Sequence, residues 1–336
     1  MNVRVNSLCT LMAATVAAGC GMSNAPGPLA NAAPAIATSN VDNAQARGAR
    51  LFVSDYGTLG VAGRILVYSL PGLAPIATNS NVGQPKGECS DNHGHVWVTA
   101  DNPRSVPQVT YELNHDGSTI KTLLDPYGYP AQGCAWDPTT GDVAVTNINF
   151  ACCSGNVLIY PGGSGTPRQV SAPGLRLAYF VGYDSRGNLF FDGEDLNYSF
   201  FLGELPKGAS NGNDIDVSGG TIVWSGMVQS TVPGTLYVGD QNCKPHSGQQ
   251  SCLHHLELHG SKAKITANIN LLDNAGQPLC NMMQGVIWRR HLYGSDLQTC
   301  DSSSNATFVW GMPAGGLPQA ATTQQEFEPY GAAISL

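Results

Sequence analysis

The sequence is poor in charged residues and has no excess of positive ones. Asp, Glu, Lys and Arg make up 12% of its 336 residues, whereas about 25% is usual in globular domains. Because helical proteins need charged residues on their solvent faces, this scarcity argues against an architecture of long helices. The formal net charge of −8 argues against a nucleic-acid-binding protein, because contacts with phosphates depend on Lys and Arg.

Long hydrophobic runs and the common nucleotide-binding loop are also missing. No stretch of about 18 apolar residues follows the N-terminal segment, so we expect no membrane span in the mature chain. No Gly-x-x-x-x-Gly-Lys-Ser/Thr loop occurs, which argues against a phosphate site of that type. Gly and Pro are abundant instead, with 40 and 21 residues, and both favour turns.

Residues 1–19 are predicted to be a secretory signal peptide. Arg4 supplies a positive charge, residues 8–18 are mostly apolar, and small residues precede Cys20, which is the pattern of an export signal. Cys20 follows Ala-Ala-Gly and so resembles the lipobox cysteine of bacterial lipoproteins, which is acylated and becomes the mature N-terminus. Ordinary signal-peptidase cleavage after residue 18 is the alternative.

Residues 20–48 are predicted to be the lipidated cysteine and a tether. They are rich in Ala, Asn, Pro, Ser and Gly without a period, which is typical of flexible linkers. The sequence therefore predicts an exported, monomeric protein that is held in the bacterial cell envelope by its lipid alone. In an envelope with two membranes we expect the outer membrane, because Gly21 is not the Asp that signals inner-membrane retention.

A short segment of alternating apolar residues recurs six times in the rest of the chain and ends in Asp or Asn. The copies begin at residues 51, 96, 143, 189, 236 and 291. Each copy after the first is preceded by a Gly-containing strand, and each copy is followed by a loop, a third strand, a turn and a variable fourth strand. A period near 45 residues with four short strands is typical of a β-propeller.

The two ends of the repeat region are complementary. Residues 329–336 have the pattern of a first strand with no second strand after it, and residues 51–55 have that of a second strand with no first before it. Pairing them would complete one blade and leave no open sheet edge. The sequence therefore predicts an all-β, six-bladed propeller over residues 49–336, with four-stranded blades closed by the C-terminal strand.

The strand pattern resembles the NHL-repeat and gluconolactonase-like family of propellers. The resemblance rests on Pro85-Lys-Gly87 with Asp91, on Gly94 with Val96-Trp-Val98 and Asp101, and on residues 109–113. It extends over the chain after residue 48 and implies the propeller fold. Since one fold serves many functions, it says little about chemistry.

For the gluconolactonase-like enzymes, the resemblance implies a divalent metal held by Glu, Asn and Asp on inner strands. It makes Glu88 a candidate metal ligand or general base, although Gly87 and Cys89 do not match the family's Glu-Gly-Pro. The alternative is that Glu88 is a solvated residue lining the central channel.

The six ends of the second strands form a predicted ring of polar side chains. It comprises Asp55, Asp101, Asn147, Asp192, Asp240 and Asp296. Such residues cap following turns through backbone N–H groups, and this is the interpretation that their recurrence in every blade favours. The alternative is a calcium, magnesium or zinc ion bound by their oxygens.

A second candidate metal site lies in the third strand of the fifth blade. His255, Glu257 and His259 share one face of this strand, and three such ligands suit zinc. The alternative is a partly exposed outer face without a metal.

Eight cysteines follow residue 20, and an even number in an exported chain indicates disulfides. Cys243 is predicted to pair with Cys252, and Cys280 with Cys300. The pairing of the other four cysteines stays open. In one alternative Cys89 pairs with Cys134, and the adjacent Cys152 and Cys153 form a vicinal disulfide. In the other, Cys152 and Cys153 pair with Cys89 and Cys134. In each case we expect the disulfides to rigidify the face defined next.

Loops that join second to third strands, and outer strands to the next inner strand, emerge on one face of a propeller. We call it the loop face, and the opposite one the turn face. Because the sequence shows no catalytic set or cofactor signature, it favours a scaffold that binds a protein or small-molecule ligand through the loop face. The alternative, implied by the resemblance, is a divalent-metal-dependent lactonase, esterase or lyase with its site at the channel mouth.

Overall fold

A computed structural model describes residues 48–58, 61–91, 93–101, 108–149, 154–243, 250–297 and 305–336. These residues form six sheets, and the predicted six-bladed propeller is confirmed. Five sheets have four strands, while the fifth blade carries an additional outer strand. Within the described ranges, no helix is long and apolar enough to cross a membrane.

The strands of each blade follow in order from the inner strand outward. Blade 1 contains β25 (Pro329–Ser335), β1 (Arg50–Asp55), β2 (Arg64–Ser69) and β3 (Pro75–Asn79). Blade 2 contains β4 (Gln84–Ser90), β5 (Val96–Asp101), β6 (Gln108–Leu113) and β7 (Thr119–Asp125). Blade 3 contains β8 (Ala131–Trp136), β9 (Val143–Asn149), β10 (Ser154–Tyr160) and β11 (Arg168–Val170), with a 3-10 turn at Pro161–Gly163.

The remaining blades follow the same plan. Blade 4 contains β12 (Leu175–Tyr183), β13 (Leu189–Asp195), β14 (Phe200–Leu205) and β15 (Asn213–Asp214). Blade 5 contains β17 (Ser225–Gln229), β18 (Thr235–Asp240), β19 (Cys252–His259) and β20 (Lys262–Asn270), and β16 (Asp216–Ser218) pairs in parallel with β20. Blade 6 contains β21 (Val286–Trp288), β22 (His291–Ser295), β23 (Thr307–Gly311) and β24 (Ala320–Ala321).

The closure predicted from the two chain ends is confirmed. Strand β25 pairs antiparallel with β1, with Leu51 opposite Ile334 and Val53 opposite Ala332. All seven residues of β25 are buried. The C-terminal strand therefore becomes the inner strand of blade 1 and completes the ring.

Apolar side chains fill the spaces between neighbouring blades. Between blades 1 and 2, Phe52, Ile65 and Val67 pack with Val96 and Val98, and all five are fully buried. The alternation of the sequence repeat explains this packing, because successive residues of a strand point to opposite faces of its sheet and each face meets another blade. Burial of apolar surface between blades therefore holds the sheets around a common axis.

Candidate functional site: the loop face

The loop face exposes several large apolar and aromatic side chains. Leu196 and Tyr198, between β13 and β14, are 67% and 70% exposed, and Trp224, just before β17, is 49% exposed. Tyr127, between β7 and β8, is exposed on the same face. We take the part of the loop face that carries Leu196, Tyr198 and Trp224 as the candidate functional site, because two of the three lie in one turn and large exposed apolar side chains that cluster mark interaction surfaces.

The turn that carries Leu196 and Tyr198 is held by side chains around it. Asp195 Oδ1 accepts hydrogen bonds from the backbone N–H groups of Asn197 and Ser199, at 2.7 and 2.9 Å. Tyr198 adopts a left-handed φ of 64°, a conformation that this compact hydrogen-bonded turn requires. The turn therefore presents both side chains from a fixed backbone.

An arginine fixes the Tyr198 ring from the inner strand of the same blade. The Arg176 guanidinium lies 3.9 Å from the centre of that ring and forms an ion pair with Glu194. Glu194 also accepts a hydrogen bond from the Tyr179 hydroxyl at 3.1 Å. Burial, together with the Glu194 carboxylate, raises the pKa of Tyr179 above its usual value, so its hydroxyl remains a donor.

Disulfides hold two neighbouring parts of the loop face. The predicted Cys243–Cys252 bond is present and joins the segment after β18 to the start of β19. Cys280, in the segment before β21, is also disulfide-bonded. Its predicted partner, Cys300, lies outside the described residues, as do Cys152 and Cys153.

The third disulfide joins two inner strands instead of loops of the loop face. Cys89 pairs with Cys134, which resolves an alternative that the sequence left open. Cys89 is opposite Trp97 near the turn-face end of its hairpin, and Cys134 is opposite Val145. This bond ties the inner strands of blades 2 and 3 together rather than rigidifying loops, so the expectation that every disulfide holds the loop face was wrong.

Three members of the predicted polar ring accept hydrogen bonds from backbone N–H groups. Asp240 caps the turn that follows it, as expected, because its Oδ1 accepts from the Asn242 N–H at 2.8 Å, and all three also cap a segment that the sequence did not indicate. Asp55 Oδ1 accepts from the N–H groups of Phe327 and Glu328, at 3.0 and 2.9 Å. Asp240 and Asp296 likewise each accept from two consecutive N–H groups just before the inner strand of their own blade. The second strand ends beside the start of the inner strand because the two are antiparallel, so the carboxylate reaches that segment.

The other three members make different contacts. Asp101 lies 3.7 Å from Lys86 Nζ, Asn147 Nδ2 donates to Asn156 Oδ1, and Asp192 Oδ1 accepts from the Phe180 N–H. Burial raises the pKa of Asp192 well above its usual value. No three carboxylates of the ring meet within 4.8 Å among the described residues, so the structure does not bring the ring together as one metal site.

Glu88 is buried rather than solvated. Its Oε1 accepts from Ser54 Oγ at 2.7 Å, and its Oε2 has no hydrogen-bond partner among the described residues. Burial raises the pKa of this carboxyl well above its usual value. The interpretation of Glu88 as a solvated channel residue was therefore wrong, and the structure places no Asp, His or other Glu beside it as a joint metal ligand within the described ranges.

The propeller axis is filled at the level of Glu88. Gln284, just before blade 6, donates from Nε2 to the carbonyls of Glu88 and Cys134, at 2.9 and 3.2 Å. Tyr330, on blade 1, donates to Gln132 Oε1 on blade 3 at 2.6 Å. These contacts between non-adjacent blades close the axis at this level.

The histidine-rich strand has the exposed face that the sequence predicted. Glu257 and His259 of β19 are solvent-exposed and His255 is half-buried. These three do not form a joint donor group. The buried residue of the strand is His254, which the sequence reasoning missed. Its spacing of two residues from Cys252 is the signal that places both on one face.

A match to the hydrolase motif Gly-x-Ser-x-Gly lies outside the structural context in which that motif is catalytic. Residues 208–212 read Gly-Ala-Ser-Asn-Gly and match the Gly-x-Ser-x-Gly pattern of hydrolases. The hydrolase elbow is a strand-to-helix turn that exposes its serine above a sheet. Here the motif joins the outer strands β14 and β15, and no helix follows it.

Comparisons with known proteins identify the fold. No protein-family model matches the sequence, and no curated protein matches it. A protein of unknown function from Bacteroides caccae superimposes with a TM-score of 0.61 at 13% identity, over 85% of this chain and 98% of that one. TolB from Acinetobacter baumannii superimposes with a TM-score of 0.57 at 9% identity, over 85% of this chain and 66% of that one.

At these identities the likeness concerns the propeller fold alone. The finer resemblance to NHL-repeat and gluconolactonase-like propellers stays a prediction, and so does the lipoprotein signal.

Proposed function

We propose that this chain is an exported binding scaffold that presents its loop face to a protein partner. The observation that carries the proposal is the group of exposed side chains Leu196, Tyr198 and Trp224 on that face, above an axis closed by Gln284 and Tyr330. Small-molecule sites are usually concave pockets. Among the described residues, the closed axis provides no such pocket at the centre of the propeller, and the large exposed side chains around it suit a protein surface.

The residue types on this face are those that dominate protein interfaces. Tyr and Trp are enriched among residues whose truncation weakens binding most, because they bury a large area at a low entropic cost. The turn of Tyr198 is fixed by Asp195 and Arg176, and the neighbouring Cys243–Cys252 segment is covalently closed. A surface fixed before binding loses less conformational entropy when the partner docks.

A groove beside Leu196 indicates the charge of the partner. It has a volume of about 470 Å³, and Leu196, Phe200 and Ile222 line it together with Asp195, Asp214 and Asp216. An apolar groove with acidic residues suits an apolar side chain flanked by Lys or Arg. The net charge of −8 would speed the approach of such a partner at low salt.

The proposed location of the protein in the cell rests on Cys20 and the tether that follows it. We propose that acylated Cys20 holds the propeller at the outer membrane of a two-membrane envelope, and residues 21–48 give it reach. A flexible linker of this length has a mean end-to-end distance of about 30 Å. The propeller can therefore turn its loop face toward partners at or near the membrane surface.

Site-specific photo-crosslinking in cells tests which face binds. A photo-reactive amino acid at Leu196 is expected to yield a discrete crosslinked protein, because this position lies at the centre of the proposed surface. The matched control is Val232 on the turn face, which is 58% exposed and is expected to give no discrete product.

The same cells test the anchor. The chain with Cys20→Ala should leave the membrane fraction, whereas the unaltered chain should stay in it. Crosslinks at Val232 but not at Leu196 would contradict the proposed surface, and membrane retention of Cys20→Ala would contradict the anchor.

A further inference from the structure

We infer that Cys243, Cys252, His254 and Asp240 form a redox-dependent zinc site in blade 5. Reduction of the Cys243–Cys252 disulfide would leave two thiols, which bind Zn²⁺ as thiolates together with the imidazole and the carboxylate. The inference rests on contacts within this blade and does not depend on the proposed function. In the described part of the chain, Cys243, Cys252 and His254 are the one group of three His, Cys, Asp or Glu side chains whose ligand atoms lie within 4.8 Å of one another.

The distances around His254 already match the edges of a zinc tetrahedron. Its Nε2 lies 3.8 Å from Cys243 Sγ, 3.7 Å from Cys252 Sγ and 3.4 Å from Asp240 Oδ2. With bonds to zinc of about 2.05 Å from nitrogen, 2.3 Å from sulfur and 2.1 Å from oxygen, a tetrahedron has N–S and N–O edges of about 3.6 and 3.4 Å. Three of its six edges are thus in place before any metal binds.

The sheet register explains why these side chains converge. Strands β18 and β19 are antiparallel, and Asp240 lies directly opposite Cys252. His254 follows Cys252 by two residues and therefore points to the same side of the sheet. Cys243 is brought to this place by the disulfide itself.

The imidazole is oriented as a metal ligand requires. His254 Nδ1 lies 2.7 Å from Asn268 Oδ1 on the adjacent strand β20. When Nδ1–H donates to this amide oxygen, the lone pair of Nε2 faces the two sulfurs, which is the usual arrangement of zinc-binding histidines. Asp240 is oriented in a similar way, because the N–H groups of Val223 and Trp224 donate to its two oxygens.

The site is buried, which favours specific binding over loose association. Cys252, His254 and Asp240 are each no more than 3% exposed. Only the separation of the two sulfurs must change, from about 2.05 Å in a disulfide to about 3.8 Å across a zinc ion. Cys243 lies three residues after the end of β18, in the connection to β19, and is half-buried. It is therefore the residue that would move.

The chemistry balances with a dithiol as the reductant. The dithiol gives two electrons and two protons to the Cys243–Cys252 bond and becomes a disulfide itself, leaving two thiols on the protein. Binding of Zn²⁺ then releases both thiol protons to solvent, while the neutral imidazole and the ionised carboxylate bind without proton transfer. A low-molecular-weight disulfide that accepts two electrons from the two thiolates and two protons from solvent becomes two thiols, restores the Cys243–Cys252 bond and so releases Zn²⁺.

Cobalt and zinc titrations of the full chain test the site. The chain is reduced with dithiothreitol without oxygen, freed of reductant, and titrated with Co²⁺ and then Zn²⁺. We expect the intense visible bands of tetrahedral cobalt with thiolate-to-cobalt charge transfer, and their loss when Zn²⁺ displaces Co²⁺. The unreduced chain should show neither band.

Variants separate this site from the other cysteines. His254→Ala should weaken zinc binding by at least about 100-fold, and Asn268→Ala, which acts through the imidazole, by about 10- to 100-fold. His259→Ala, an exposed histidine of the same strand, is the matched control and should leave the affinity unchanged.

Cys243→Ser changes a partly exposed residue, so it provides a second test should the buried histidine variant fail to fold. It should abolish the two-thiolate cobalt spectrum. Equal zinc affinity in His254→Ala and the unaltered chain, or an unchanged cobalt spectrum in Cys243→Ser, would overturn the inference.

Discussion

Replacing Gly87 with alanine should lower the free energy of unfolding by about 3 kcal/mol or more, the upper range for overpacking a core. A Cβ on Gly87 would collide with the Gln132 carbonyl and the Gln284 side chain and would lie 2.6 Å from the Gly133 Cα. Two of these neighbours are backbone, which cannot adopt another rotamer. The Cys89–Cys134 disulfide also ties the two crowded strands together, so they cannot separate to make room.

Gly72→Ala is the matched control for this substitution. Gly72 is exposed in a turn, and a Cβ there would meet no atom within 4 Å. Its unfolding free energy should stay within about 0.5 kcal/mol of the unaltered chain. Urea unfolding followed by circular dichroism measures both variants, and equal midpoints for Gly87→Ala and Gly72→Ala would contradict a filled axis.

Glu326→Gln should remove a large part of the pH dependence of stability. Glu326 lies at the seam of blades 6 and 1, where Oε1 accepts from the Tyr68 hydroxyl at 2.8 Å and Oε2 from the Thr307 hydroxyl at 2.9 Å. Burial is the main reason that its pKa rises from 4.5 to about 7, and the nearby Asp55 carboxylate adds to the effect. The seam therefore favours the protonated acid.

The direction of the effect follows from the raised pKa. Between pH 4.5 and about 7 the folded chain holds a proton on Glu326 that the unfolded chain has lost, so the contribution of Glu326 to stability is greatest below pH 4.5 and is lost as the pH rises through 7. The difference between the pKa values of Glu326 in the unfolded and folded chains corresponds to about 3 kcal/mol of unfolding free energy, because one pKa unit is worth about 1.4 kcal/mol. The glutamine variant carries no such proton.

Unfolding free energies of both chains at pH 5, 6, 7 and 8 measure the contribution of Glu326. The unaltered chain should lose stability relative to Glu326→Gln as the pH rises, because only the unaltered chain has a carboxyl at position 326 that must ionise in a buried place. Parallel pH profiles for the two proteins would show that Glu326 does not titrate in this range.

The fold was predictable because the strand repeat is a local sequence pattern. The side-chain contacts that fill the propeller axis were not predictable. Alternation and the terminal Asp or Asn recur in each blade, and the complementary ends predicted the pairing of β25 with β1. Gln284 reaches Glu88 across 196 positions of sequence, and no local pattern indicates such a contact. Glu88 was therefore expected to bind a metal or to line a solvated channel, and it lies in the interior instead.

The candidate site was predictable in location but not in detail. The strand order placed two sets of loops on one face, and the loop bracketed by Cys243 and Cys252 predicted their pairing. Capping by Asp55 and Asp240 was anticipated, and Asp240 caps the turn that follows it. The N–H groups that both carboxylates bind before the inner strands depend on which backbone segment the antiparallel pairing places beside them. His254 was missed because its buried setting depends on the side chains of two neighbouring strands.

Hydrogen–deuterium exchange tests most directly whether the loop face is the binding surface. The full chain would be measured alone and with the partner captured through Leu196. We predict slower exchange on binding in residues 194–199 and 219–225, and no change in the turn-face residues 230–234 and 312–318. Protection confined to the turn-face residues or to the outer strands would contradict the proposed scaffold.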